Sequence, residues 1–182
     1  MKRIVAIGAS SSSNSINKEF ASYAANLVSL KKKVIELDLR QYEMPIYSED
    51  LQNLSGITKK SFDFKSEISN SDALVISLAE HNGSYTAAFK NIYDWISVIE
   101  KLVWNNKPLL LLSTSPGARG GKTVLEAALS RFSRESNWDI PSFTLPFFDQ
   151  NFSVEYGITD EQLMDELEEQ VKLFLLQVNL HQ

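Results

Sequence analysis

Three segments of this chain hold residue types that could do chemistry. The first is Gly8-Ala9-Ser10-Ser11-Ser12-Ser13-Asn14-Ser15-Ile16-Asn17, with five serines and two asparagines. It follows a short apolar run and leads into a segment of helical period. A helix N-terminus offers unpaired backbone N–H groups and a positive dipole end, so an anion is welcome there. The serine hydroxyls and asparagine amides of this loop, with the backbone around Ile16, could converge on a terminal phosphate monoester. The loop adds no permanent cation. The competing reading is an N-cap in a solvated serine-rich turn, for which one such residue suffices. The glycine spacing is neither G-x-G-x-x-G nor a P-loop, which disfavours Rossmann dinucleotide binding and Walker-type ATP binding.

The second segment is Ala79-Glu80-His81-Asn82-Gly83-Ser84-Tyr85-Thr86. Asn82-Gly83 is a turn signal. Polar backbone and amide groups here could read the edge of a flat heterocycle. His81 could stack, donate a hydrogen bond or deliver a proton, since its unperturbed pKa suits that task. The plainer reading is an exposed side chain without a role. The third segment, Ser113-Thr114-Ser115-Pro116-Gly117-Ala118-Arg119-Gly120-Gly121, packs three glycines and a proline into six residues. Such a chain can approach a ligand closely, or it is simply a glycine-rich turn from strand to helix. No residue is assigned as catalytic, and no metal ligand set is read.

The elements around these segments alternate. Apolar runs at Ile4–Ile7, Val34–Leu37, Ala73–Leu78, Leu109–Leu112 and Ser142–Leu145 read as strands covered on both faces. Between them, Ile16, Phe20, Ala24, Leu27 and Val28 share a helical face, as do Ala88, Ile92, Trp95, Ile96 and Ile99. Val124, Leu125, Ala128, Leu129 and Phe132 form another, and Leu163, Leu167, Val171, Phe174 and Val178 the last. Thr159-Asp160-Glu161-Gln162 fits a capping box for that last helix. A shorter helix is expected over Thr58–Ser69. The pattern predicts an α/β fold: a flavodoxin-like five-stranded parallel sheet, order 2-1-3-4-5, with helices on both faces. Ligands of such sheets bind beyond the carboxyl ends of the strands, where all three segments fall. Residues 39–57 are a long connection of the kind that is often functional.

Length and composition narrow the function classes. The 182 residues, 43% hydrophobic, suit one domain over residues 1–182. A net charge of -5 argues against nucleic acid as a partner. The basic run Lys31-Lys32-Lys33 reads as a solvated helix end. With no cysteine, disulfides and thiolate chemistry are excluded. No stretch approaches a membrane span or a signal sequence, so the expectation is a cytoplasmic protein with no membrane partner.

The same residues resemble the NADPH-dependent FMN reductases, flavodoxin-fold proteins that include chromate and azo-dye reductases. The family's Gly-Ser-x-Arg-x-x-Ser-x-Asn is matched by Ala9-Ser10-Ser11-Ser12-Ser13-Asn14-Ser15-Ile16-Asn17. Its second-strand segment is similar to Leu37-Asp38-Leu39 and Met44-Pro45-Ile46-Tyr47-Ser48-Glu49-Asp50. Its Pro-Glu-Tyr-Asn-Gly-Ser…Leu-Lys-Asn-x-x-Asp-Trp is matched by Ala79–Ser84 and by Phe89-Lys90-Asn91-Ile92-Tyr93-Asp94-Trp95. Ser115-Pro116-Gly117 and Gly120-Gly121 match its last loop. The resemblance implies FMN and NADPH as cofactors. Ser10, Ser12, Ser15 and Asn17 would surround the phosphate; Glu80, His81, Asn82 and Gly83 would line the isoalloxazine; Ser115 to Gly121 would close its other side. It implies hydride transfer from NAD(P)H to flavin and on to a quinone, azo, metal-oxyanion or free-flavin acceptor. A flavodoxin-type electron carrier and a binding module that has lost FMN are the rival readings. The family Arg is Ser12 here, which predicts weakened FMN binding. A homodimer or homotetramer is expected, and Tyr93, Trp95 and Trp104 look like more large aromatics than one core face needs.

Overall fold

Five apolar runs become one parallel sheet in the computed structural model, which describes residues 2–28 and 33–181. The strands are β1 (Arg3–Ala9), β2 (Lys33–Leu37), β3 (Ala73–Leu78), β4 (Leu109–Thr114) and β5 (Ser142–Leu145), in order β2-β1-β3-β4-β5. Every pairing is parallel, with Val5 opposite both Ile35 and Leu74. This is the expected flavodoxin-like order. Lys31 and Lys32 of the basic run lie outside the described residues.

The longer helices are α1 (Ile16–Leu27), α2 (Glu49–Ser55), α3 (Lys59–Ser69), α4 (Ala87–Ser97), α5 (Lys122–Phe132) and α6 (Glu161–Leu180), and a four-residue helix, Phe148–Asn151, follows β5. Alternate strand residues feed two cores, because successive side chains point to opposite faces. Val5, Ile7, Leu74, Ile76, Leu109 and Leu111 pack under α3, α4 and α5 with Phe64, Phe89 and Phe132. Ile4, Ala6, Val75, Leu110 and Leu112 pack under α1 and α6 with Phe20 and Phe174. Every residue of β3 and β4 is buried, which is why their sequences are apolar apart from Ser77, Ser113 and Thr114.

Three expectations need correction. Tyr93, Trp95 and Trp104 are all core residues, at 8%, 0% and 1% exposure, so they are no aromatic surplus on the surface. Trp104 stacks on Phe89 and meets Phe132 edge-on. The last helix is capped by Asp160, whose carboxylate accepts from Leu163 N–H at 2.9 Å, while Thr159 donates its hydroxyl to Gln150 C=O. The long connection holds a 3-10 turn, Leu39–Tyr42, and α2, a helix with no buried residue. An element that buries nothing carries no apolar period, so its sequence reads as loop.

No helix among the described residues is long and apolar enough to cross a membrane.

Candidate functional site

The carboxyl ends of β1, β3 and β4 bring the three segments around one open cleft of about 190 Å³. Ser10, Ser12, Ser15, Ile16 and Asn17 line it from the first segment, Glu80 and His81 from the second, Ser115 and Pro116 from the third. A larger groove of about 520 Å³ runs along α1 past Lys18, Tyr23 and Glu36. Convergent donors rather than size single out the cleft between the loops.

The first segment is shaped by close approach of β1 and α1. A Cβ at Gly8 would lie 2.4 Å from Lys18 Cα, so only glycine fits there. Ser15 caps α1, its Oγ accepting from Lys18 N–H at 3.2 Å. That bond uses a lone pair and leaves the hydroxyl proton to donate, so the cap and the anion donor are one residue. Ser10 accepts from Ser12 N–H at 3.1 Å and keeps its proton in the same way. Among the described residues, the backbone N–H groups of Ile16 and Asn17 have no partner.

Asn17 lines the cleft and also turns its amide into the protein. It is 3% exposed, and its Oδ1 accepts from Ser77 Oγ at 2.7 Å and Thr114 N–H at 3.2 Å. Its Nδ2 donates to Thr114 C=O at 3.0 Å. Three of the four hydrogen-bonding positions of this amide are thus taken inside the protein. These bonds brace the loop: Asn17 ties the first turn of α1 to β3 and β4.

The second segment is a β-hairpin, Glu80–His81 against Ser84–Tyr85. Asn82 and Gly83 form its turn at φ of 52° and 76°. A type I′ turn needs positive φ at both positions, which Asn-Gly supplies. Both are exposed and shape the turn rather than the cleft wall. Glu80 reaches across instead, its Oε2 accepting from Val124 N–H at 2.9 Å. It caps α5, whose own N-cap, Gly121, makes no side-chain cap bond. Thr86 caps α4 and donates to Ala9 C=O at 2.8 Å, locking the hairpin to the end of β1. His81 is exposed at the cleft rim. Burial pushes the Tyr85 phenol up to about 12, so it stays protonated.

In the third segment two glycines serve packing. Gly120 and Gly121 have φ of 56° and 80°. A Cβ on Gly120 would lie 2.5 Å from Thr144 Cγ2 and 2.8 Å from Leu145 O, and one on Gly121 would lie 3.1 Å from Ser113 Cβ. Ser115 and Pro116 face the cleft, while Gly117 C=O accepts from Gly120 and Phe147 N–H, both at 3.1 Å. Beside the first segment, Asp38 accepts from Arg40 Nε and, at 3.2 Å, from Lys18 Nζ. The Arg40 guanidinium, then Lys18, holds its carboxyl far below the usual carboxylate range.

The sequence model for the NADPH-dependent FMN reductases matches residues 2–171. This chain belongs to that family. A quinone reductase of Pseudomonas putida is 33% identical over 110 residues, 59% of this chain and 56% of the relative. A 2-hydroxy-1,4-benzoquinone reductase of a Burkholderia species is 32% identical over 108 residues, 59% and 57% of the two chains. The chain thus matches little more than half the length of these relatives. Two solved structures share its fold. One is FerB, a flavoenzyme NAD(P)H:(acceptor) oxidoreductase from Paracoccus denitrificans, with a TM-score of 0.77 at 20% identity over 100% of this chain and 99% of that one. The other is an NADH:FMN oxidoreductase in its apo form, with a TM-score of 0.68 at 20% identity over 97% and 89%.

The family motif on α4 acquires a physical meaning here. Asn91 and Trp95, one helical turn apart, clamp the connection after β2. Asn91 donates to Met44 and Pro45 C=O and accepts from Tyr47 N–H at 2.8 Å. Trp95 Nε1 donates to Pro45 C=O at 2.8 Å, and its ring meets Tyr47 edge-on. Sequence reasoning missed this clamp, as it missed Thr86, although a Thr directly before a helical period is a cap signal.

Proposed function

We propose that this chain is an FMN-dependent NAD(P)H oxidoreductase that hands electrons to a quinone-type acceptor. The observation that carries the reading is the unpartnered Ile16 and Asn17 N–H groups beside the free hydroxyl protons of Ser10 and Ser15. Neutral donors at a helix N-terminus suit a phosphate dianion. Ser10, Ser12, Ser15 and the first N–H groups of α1 would hold that phosphate, with Asn17 bracing them. Ala79, Glu80, His81, Ser115 and Pro116 would flank the ring; Asn82, Gly83, Gly117, Gly120 and Gly121 shape the loops that carry them. Bound FMN would supply the hydride-accepting ring, and the protein the binding and orientation. His81, exposed at the rim, is the side chain placed to give a proton to a reduced acceptor.

FMN titration by quenching of flavin fluorescence, followed by NADPH and NADH oxidation with and without benzoquinone, tests this. Saturable FMN binding and quinone-dependent turnover are expected. FMN binding without NAD(P)H oxidation would make the protein an electron carrier, and absence of FMN binding would make it a binding module.

The same proposal includes one cytoplasmic domain of 182 residues that works as a homodimer. Support for the dimer comes from the clamped connection. Ile46 is 85% and Leu54 84% exposed, and seven-residue α2 buries nothing. A helix that short does not stand on propensity alone. Two residues from Ile46, Met44 lines a groove of about 310 Å³ together with Leu39, Tyr42 and Ile92 and the polar Arg40, Glu43 and Asn91. An exposed apolar side chain next to a groove is what an isologous twofold interface uses. Sedimentation should give a dimer, and Ile46→Asp with Leu54→Asp a monomer.

A further inference from the structure

Phe147 stands out among the described residues with positive φ. Apart from glycines these are Asn82, Asn105, Asn106 and Phe147. Asparagine tolerates the left-handed region; a bulky aromatic does not. Phe147 nevertheless sits at φ 46°, ψ 56°, and the residue is 38% exposed. The conformation is imposed from both sides. Phe147 N–H donates to Gly117 C=O and Phe148 N–H to Ser115 C=O, both at 3.1 Å. Gln150 and Asn151 N–H then donate to Phe147 C=O at 2.9 and 3.0 Å. The turn sends Phe148 inward, 5% exposed and stacked on Phe152 at 4.7 Å, and leaves Phe147 outside. Glycine would make the same turn without strain and without a half-exposed aromatic residue. Backbone strain of this kind collects where a side chain has work to do. The bond from Phe147 reaches Gly117 and the bond from its neighbour Phe148 reaches Ser115, which lines the candidate flavin cleft.

We propose that Phe147 is an aromatic platform on which a planar quinone-type acceptor stacks at the cleft, making it a specificity-determining residue. This rests on the oxidoreductase reading above. Offset or edge-on contact between aromatic rings favours such an acceptor over a non-aromatic one.

Two measurements test it. With FMN-loaded protein, Phe147→Ala should lower the ratio of kcat/KM for 1,4-naphthoquinone to that for ferricyanide by roughly threefold to tenfold. Phe147→Trp should keep the ratio. Phe147→Gly should lower it like alanine while raising the Tm, which separates lost stacking from lost stability. An unchanged ratio in the alanine variant overturns the proposal. The second measurement needs no turnover. 4-Fluorophenylalanine at position 147 should show a fluorine shift on adding 1,4-naphthoquinone to FMN-loaded protein without NAD(P)H, and none with ferricyanide. No shift with naphthoquinone overturns the platform. If no acceptor supports turnover the oxidoreductase reading fails, and the fluorine shift still decides the role of Phe147.

Discussion

Glu80 caps a helix that begins far along the chain: its Oε2 accepts from Val124 N–H at 2.9 Å, across 44 residues. Val124 is the third residue of α5, where a capping side chain normally bonds. The local cap position is Gly121, which close contact with Ser113 and a left-handed backbone keep as glycine. The acceptor therefore comes from the hairpin opposite. The second and third loops are joined by this bond into one wall of the cleft.

Glu80→Ala should remove that cap and cost about 1 kcal/mol. For a chain of this size the Tm should fall by about 2–4 °C. Glu80→Gln keeps an acceptor oxygen and loses only the charge against the helix dipole, so its loss should be smaller. Thermal unfolding of both variants checks this. An alanine variant that melts with the unaltered protein would show that α5 finds another cap.

Asn17 and Ser15 should separate bracing from phosphate binding. Asn17→Ala leaves the Ser77 hydroxyl and the Thr114 N–H buried without their acceptor, a loss of about 2 kcal/mol or more. Its preference for FMN over riboflavin should survive, because no phosphate contact is removed. Ser15→Ala should lose about 1 kcal/mol of capping stability and also shrink that preference. Urea unfolding and paired flavin titrations measure both quantities. A preference lost in the Asn17 variant and kept in the Ser15 variant would reverse the assignment.

The fold was legible because its signals are local and repeated. Leu109–Leu112 can only be a strand covered on both faces, and the helical faces of Phe20, Ile92 and Val171 are complete in sequence. The meeting of the three loops at one sheet edge was equally legible, since it follows from the strand order. The division of labour inside it was not. Asn17 and Ser15 are both polar residues of one loop; whether an amide turns inward to Ser77 depends on a partner 60 residues away. Glu80 hides for the same reason. Trp95 looked available to a partner because its hydrogen bond runs to Pro45, in a connection with no periodic signal.

Asp38 should leave a mark on acid stability. Its folded pKa lies below the usual 3.8, chiefly through Arg40. A depressed carboxyl stabilises the fold fully above its unfolded pKa, and that contribution is lost as pH falls toward the folded value. Asp38→Asn should therefore be less stable than the unaltered protein at pH 7. The gap should close as pH drops below about 4. Urea midpoints across that range give the answer; a gap independent of pH would mean that Asp38 acts through packing and neutral hydrogen bonds alone.

Ser12 offers the sharpest test of the anion site. The family Arg is absent at this position, so on the proposed reading hydroxyls and helix N–H groups would hold the anion. A charge-assisted pair with phosphate contributes about 1.5–3 kcal/mol. Ser12→Arg should thus tighten FMN by about tenfold to a hundredfold. Riboflavin lacks the phosphate, so its affinity should be weak in the unaltered protein and barely move in the variant. The gain should also shrink with added salt, because Ser12 is exposed and the new pair would be screened. Flavin fluorescence titrations of both ligands at two salt concentrations supply every number needed. Equal binding of FMN and riboflavin by the unaltered protein, or an equal gain for both in the variant, would place the phosphate away from this loop and remove the main physical support for the flavin reading.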